Sequence, residues 1–322
     1  MPEPGERPVA DLAGHVADYL RLRRALGFKL TAEGRLLPQL VDYLAQAGAS
    51  TLTGDLAITW AGLPHASQPI SLAHRLGAAR GFARYLQTID PQVQVPPTGI
   101  WATHAARPTP YLWSPIDISR LLRAAGALPG PFRAATHQTL LGVLAVTGMR
   151  VGEALGLACR DVDLDGGVLR VREAKHHRER LVPLHPDTTD RLREYAGRPD
   201  RPTAARCRSL EPASFFVART GSAVTYSNAR NTFAALTSAL GLRTASVQPR
   251  IHDLRHSFAV RTLIGWHRQG ADVTANLPVL STYLGHRSPA GTYWYLSAAP
   301  ELMELAAAHL NAHLDARAGG RP

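Results

Sequence analysis

VLRVREAKHHRERLVPL, residues 168–184, is the stretch that decides the fold class. Val168, Leu169 and Val171 bring β-formers up to a polar turn, AKHHRE at 174–179, and Leu181 and Val182 follow it. Two short runs of that kind joined by a polar turn make an antiparallel hairpin. On both sides of it the apolar residues recur at helical spacing. The chain is therefore expected to be mainly α with a small antiparallel β-sheet.

Upstream, Ser114 is placed to cap a helix that Pro115 opens, running over 116–125. A buried helix over 136–147 and a short one over 151–157 lead into the hairpin. Downstream, helices are expected at 187–196, 228–240, 253–266, 277–284 and 300–314. The first hundred residues hold four more. Leu12, Val16, Tyr19 and Leu20 share one face of the first, which Gly27 stops. Leu36, Leu37, Leu40, Val41 and Leu44 mark the second, ending near Gly48. A third spans 55–63, and a fourth, 71–89, turns Leu72, Leu76, Phe82 and Leu86 inward. Its other faces carry Arg75, Arg80 and Arg84, which with Arg178 of the hairpin turn are candidate phosphate contacts; a solvated basic helix face is the plain alternative. Between 90 and 113 the segment DPQVQVPPTGIWATHAARPTPYLW holds five prolines and loses all helical period, which suits an extended linker. The expected organisation is a helical domain over 1–95, a linker over 96–113 and a larger domain over 114–322.

A length of 322 residues suffices for two domains with separate cores, and 45% hydrophobic with 19% charged residues is ordinary globular composition. The formal charge of +11 points to a polyanionic partner, and the dominance of arginine over lysine suits two-pronged phosphate contact. Cys159 and Cys207 lie too far apart for a zinc spacing or a disulfide framework. The neighbours His176 and His177 have no carboxylate or cysteine near them to complete a metal site. The opening residues lack the basic start and apolar run of a secretory signal, and no apolar stretch is long enough to span a membrane. A reducing, cytoplasmic location at the nucleoid is expected.

Five residues of three types converge on one chemistry. Arg150 sits in TGMRVGEALGL, His252 and Arg255 in HDLRHSF, and His286 and Tyr295 in LGHRSPAGTYWY. Cations gathered around a phenol are what covalent attack on a phosphodiester needs. Guanidiniums hold the non-bridging oxygens, histidines supply protons or hydrogen bonds, and the phenol oxygen is the nucleophile. Arg150 follows Gly148 and Met149 at a helix end, at the mouth of a cleft, where Glu153 can orient it or cap the next helix. His252 and Arg255, three apart, share a helix face, whereas His256 points elsewhere and serves packing. Gly285 allows a tight turn before His286. Tyr293 and Tyr295 project to different sides of a helix, so only one of them reaches the phosphate.

Together TGMRVGEALGLACRDVDL, the hairpin ending in RERLVPL, HDLRHSFAV and YLGHRSPAGTYWYLS resemble the tyrosine recombinase (phage integrase) family over residues 113–300. The resemblance implies an N-terminal helical core-binding domain that clamps DNA and a C-terminal catalytic domain. It implies that Arg150 and Arg255 grip the scissile phosphate with His252 and His286, that Lys175 in the hairpin turn is the general acid, and that Tyr295, nine residues after His286, is the nucleophile rather than Tyr293. The implied activity is site-specific cleavage and rejoining of double-stranded DNA through a 3′-phosphotyrosyl link, for integration or transposition of a mobile element. No cofactor or metal takes part. The implied assembly is a homotetramer on DNA, with accessory or sister recombinases as further partners. A type IB topoisomerase-like activity and a DNA-binding architectural protein without catalysis are the alternative readings. GWHRQGADVTANLP, residues 265–278, lengthens the interval from Arg255 to His286 beyond the family's usual span, so a longer loop between two helices is expected there.

Overall fold

The computed structural model describes residues 11–63, 68–102, 109–172, 179–202, 214–286, 292 and 295. The chain divides into two compact units, 1–108 and 109–322. Lys175, Arg178, Cys207, Tyr293 and the expected helix over 300–314 lie outside the described residues.

The first unit is built from α1 (Leu12–Ala25), α2 (Glu33–Gln46), α3 (Gly54–Gly62) and α4 (Pro69–Leu86). Asp11 caps α1 by accepting from the Gly14 N–H at 2.9 Å, and Thr53 caps α3 through Leu56 N–H at 3.3 Å. Gly27 and Gly48 follow α1 and α2 in the left-handed region, with φ of 86° and 61°, where a side chain would be strained. Leu37, Leu40 and Leu44 of α2 are buried with Tyr19 of α1, Trp60 of α3 and Phe82 of α4 in one apolar cluster.

The second unit contains α5 (Pro115–Gly126), α6 (Pro131–Thr147), α7 (Val151–Leu155), β1 (Val162–Asp163), β2 (Val168–Arg172), β3 (Glu179–Pro183), α8 (Pro186–Ala196), α9 (Tyr226–Ala239), α10 (Asp253–Arg268) and α11 (Val273–Leu284). The three strands form an antiparallel sheet in the order β1-β2-β3, with Leu169 opposite Val182 and Val171 opposite Arg180. Period-2 alternation buries Leu169, Val171 and Val182 and turns Arg180 inward with them. The two-residue strand β1 has no signature in the sequence and is held by pairing with β2. Apolar residues of α5, α6, the sheet, α8 and α9 meet in the main core, which also takes in Trp113.

Of the segment expected as a linker, Trp101 packs against the first unit's core, while Tyr111 and Trp113 join the second. The Trp113 N–H donates to Ser257 Oγ of α10 at 2.7 Å inside the second unit.

The long loop expected within 265–278 is absent. Helix α10 runs on to Arg268 and α11 starts at Val273, so only residues 269–272 connect them. The added length extends both helices instead. Asp272 makes this possible, because its carboxylate accepts from Ala275 N–H at 3.0 Å and starts α11 early.

Candidate active site

Helix α6 ends at Gly148, whose φ of 62° turns the chain sharply. A Cβ there would lie 2.5 Å from Phe258 Cδ1, so the site excludes any larger residue. Two residues later Arg150 forms the N-cap of α7. Its N–H donates to Glu153 Oε2 at 2.9 Å and its Nη1 to Oε1 at 2.7 Å. Glu153 thus does both things expected of it, orienting Arg150 and closing the helix start. The Arg150 side chain remains 37% exposed.

Arg255 lies in the first turn of α10 and is buried, at 2% exposure. Its Nη1 donates to Gly148 O at 2.8 Å, and its Nη2 to Leu284 O at 2.7 Å and His286 Nε2 at 2.8 Å. Burial lowers its pKa first of all, opposed by the neighbouring Tyr295 and Glu153. A guanidinium nonetheless stays charged at any physiological pH, and these bonds compensate its removal from water.

The C-terminal end of α11 gathers three arginines. Tyr283 O accepts from Arg180 Nε at 2.9 Å, Leu284 O from Arg255, and Gly285 O from Arg150 Nη2 at 2.6 Å. Three consecutive carbonyls at the negative pole of a helix each take one guanidinium. Gly285, with φ of 68°, lets the chain turn there. An added Cβ would approach Arg180 Nη1 to 2.8 Å.

His286 follows this turn. Because Arg255 can only donate, His286 Nε2 is the acceptor, which leaves the proton on Nδ1 to be donated to Thr292 Oγ1 at 2.7 Å. Burial, then the charges of Arg255 and Arg150, pull its pKa down to about 4. His252, exposed at the start of α10, is lowered as well, first by partial burial and then by the charge of Arg255. Both rings are neutral near pH 7.

Tyr295 is 2% exposed, and its phenol lies near enough to the Arg255 guanidinium to favour that group's charge. Its ring lies 5.9 Å from that of His286 and 5.3 Å from that of His256. His256 therefore does not point elsewhere. It stands four residues from His252, on the same face of the helix start, with the two rings 4.6 Å apart, and it closes one side of the tyrosine.

Arg150, His252, Arg255, His286 and Tyr295 thus come together from α6–α7, α10 and the region after α11. Arg75, Arg80 and Arg84 lie on α4 of the other unit. Arg75 stacks 4.2 Å over the Trp60 ring and donates to Trp60 O at 3.2 Å, and Arg80 Nε donates to Pro96 O at 2.9 Å. Both are engaged in packing their own unit, whereas Arg84 is exposed. Among the described residues no cluster of histidine, cysteine and carboxylate is arranged to hold a metal ion.

The phage integrase family profile matches residues 115–301. The chain belongs to the phage integrase family. A Sinorhizobium fredii protein, y4rB, provisionally named an integrase/recombinase, is 41% identical over 90% of this chain and 93% of its own length. The tyrosine recombinase XerD of Pseudomonas putida is 32% identical over 83% of both chains. Among solved structures, the Tn1549 transposon integrase in complex with transposon right-end DNA shares the fold with a TM-score of 0.62 at 16% identity, over 95% of this chain and 99% of that one. A λ integrase dimer bound to a core site gives 0.62 at 15% identity, over 88% and 76%. This phage integrase family chain places Arg180 and His256 at the site beside the residues its motifs announced. The signal for Arg180 was the strand alternation that puts it on the same face as Val182.

Proposed function

We propose that this protein is a site-specific DNA recombinase that cuts and reseals DNA through Tyr295, serving integration or transposition of a mobile element. The observation that carries the reading is the buried phenol of Tyr295 beside a buried guanidinium and the His286 ring, with a second, partly exposed guanidinium and His252 in the same site. The Sinorhizobium relative and the fold shared with a transposon integrase support the mobile-element assignment.

The Tyr295 oxygen attacks phosphorus and the bond to the 5′ oxygen breaks, leaving a 3′-phosphotyrosyl ester and a 5′-hydroxyl. His252, held neutral, is able to take the phenolic proton, and so is His286 once a phosphate draws Arg255 away from its Nε2. Arg150 and Arg255 offset the charge that builds on the non-bridging oxygens. Lys175 gives its proton to the departing oxygen; it and Lys29 are the two lysines of the whole chain. A 5′-hydroxyl from a partner strand then reverses the step. The ester retains the bond energy, so the exchange proceeds without a nucleotide cofactor. Exchange between two duplexes calls for four copies of the chain on DNA, with accessory or sister recombinases as further partners. The protein acts in the cytoplasm at the nucleoid.

A nicked suicide substrate, which traps the covalent species, tests this. Wild-type protein is expected to become linked to the 3′ end, while Tyr295→Phe binds the same DNA and forms no adduct. An adduct persisting in that variant would transfer the nucleophile to Tyr293. Relaxation of plasmid lacking any recombination site would argue for a topoisomerase.

A further inference from the structure

Three guanidiniums and one carboxylate meet behind the site, and the reading above uses only two of the guanidiniums. Arg180, on β3, is 13% exposed and Glu153 is 11% exposed, so their contact is shielded from water. Arg180 Nη1 donates to Glu153 Oε1 at 3.1 Å and Nη2 to Oε2 at 2.6 Å, a two-pronged pair. The remaining Nε is committed to Tyr283 O. Arg180 therefore faces inward on three sides and is not placed to touch a phosphate.

Glu153 receives four donors in all, two from Arg180 and two from Arg150, which fills the accepting capacity of both oxygens. Burial alone would raise the Glu153 pKa, but the bonds and charge of Arg180, followed by those of Arg150, bring it below the ordinary carboxylate value. The carboxylate is thus a fixed negative charge beside Arg150. Paired with Arg150 alone, it would cancel the positive charge that the phosphate is meant to meet, and in a shielded site that loss is large.

We infer that Arg180 is a positioning residue of the site: it neutralises Glu153, so that the carboxylate can fix the direction of Arg150 without consuming its charge. The same side chain anchors β3 to the end of α11, next to the turn that carries His286. This role rests on the cleavage chemistry proposed above.

The test uses the full-length protein, with adduct formation on the suicide substrate and DNA affinity measured in parallel. Arg180→Met is expected to slow cleavage about ten- to a hundredfold, the scale on which a small misplacement of a reacting group acts. Affinity should change far less. The decisive comparison is the double variant Arg180→Met with Glu153→Gln, which removes the uncompensated charge and keeps the shape. It should cleave several-fold faster than Arg180→Met alone. Were it equally slow or slower, Arg180 would be only a clamp between β3 and α11, and the inference would fall. Arg180→Lys keeps the charge but not the fork, and should stay closer to wild type than Arg180→Met does. It also decides the matter if the methionine variant does not fold, because a folded lysine variant slowed about a hundredfold or more against wild type would overturn the role. Absence of any adduct from the wild-type protein would instead count against the proposed function.

Discussion

His286 has both ring nitrogens engaged, one accepting from Arg255 and one donating to Thr292, so a proton cannot be added without breaking the first bond. Its pKa of about 4 in the folded protein lies below the ordinary 6.5. Between those values the unfolded chain takes up a proton that the folded one refuses. Stability contributed by the neutral ring is whole above about pH 6.5 and drains away as the pH falls toward 4. His252 and Glu153, both shifted downward, act in the same direction, with the carboxylate's share lost in the more acid part of the range. Thermal melts of the DNA-free protein should therefore shift to lower temperature from pH 7 to pH 5. His286→Gln should flatten that dependence, and an unchanged slope in the variant would show that the ring is not the group responsible. In the proposed function a phosphate that engages Arg255 would compete for the same donor and release the ring's acceptor atom.

Helices and hairpin were legible in the sequence because each carries its own period and its own stop. Asp11, Thr53 and Ser114 cap the helices that follow them, and Gly148 and Gly285 end two more at the site. The motifs also announced Arg150, His252, Arg255, His286 and Tyr295, since their spacing is local. What escaped was decided by contacts between elements. Arg180 reads in sequence as one more cation of a hairpin, and its meaning depends on Glu153, twenty-seven residues earlier. His256 needed the position of Tyr295 to show which way it faces. The supposed loop between α10 and α11 turned on whether Asp272 is a cap or a loop residue, and it is a cap. Asp272→Ala should accordingly cost about 1 kcal/mol of stability, readable in denaturant unfolding, and should fray α11 from its first turn. If the loss were negligible, packing of Val273 and Leu277 rather than the cap would be what starts the helix.

Each unit has apolar clusters of its own, with Trp60 in the first and Leu140 in the second, so each can stand as a folding entity. A fragment covering 109–322 should therefore melt cooperatively by itself. A chain of net charge +11 that binds a polyanion should lose affinity steeply with added salt. If both units contact phosphates, as the proposed function requires, the fragment's logarithmic salt slope should be shallower than the full chain's. Equal slopes would mean that the first unit contributes no phosphate contact.

The ring of Tyr295 is packed with Leu263, Leu277, Leu280 and Leu284 in a small cluster of its own between α10 and α11. At 2% exposure it cannot meet an incoming backbone where it rests. The proposed nucleophile doubles as the keystone of a helical hairpin, and using it would mean briefly pulling that stone. An engineer who tightened this hairpin for heat tolerance would blunt the enzyme with the same stroke.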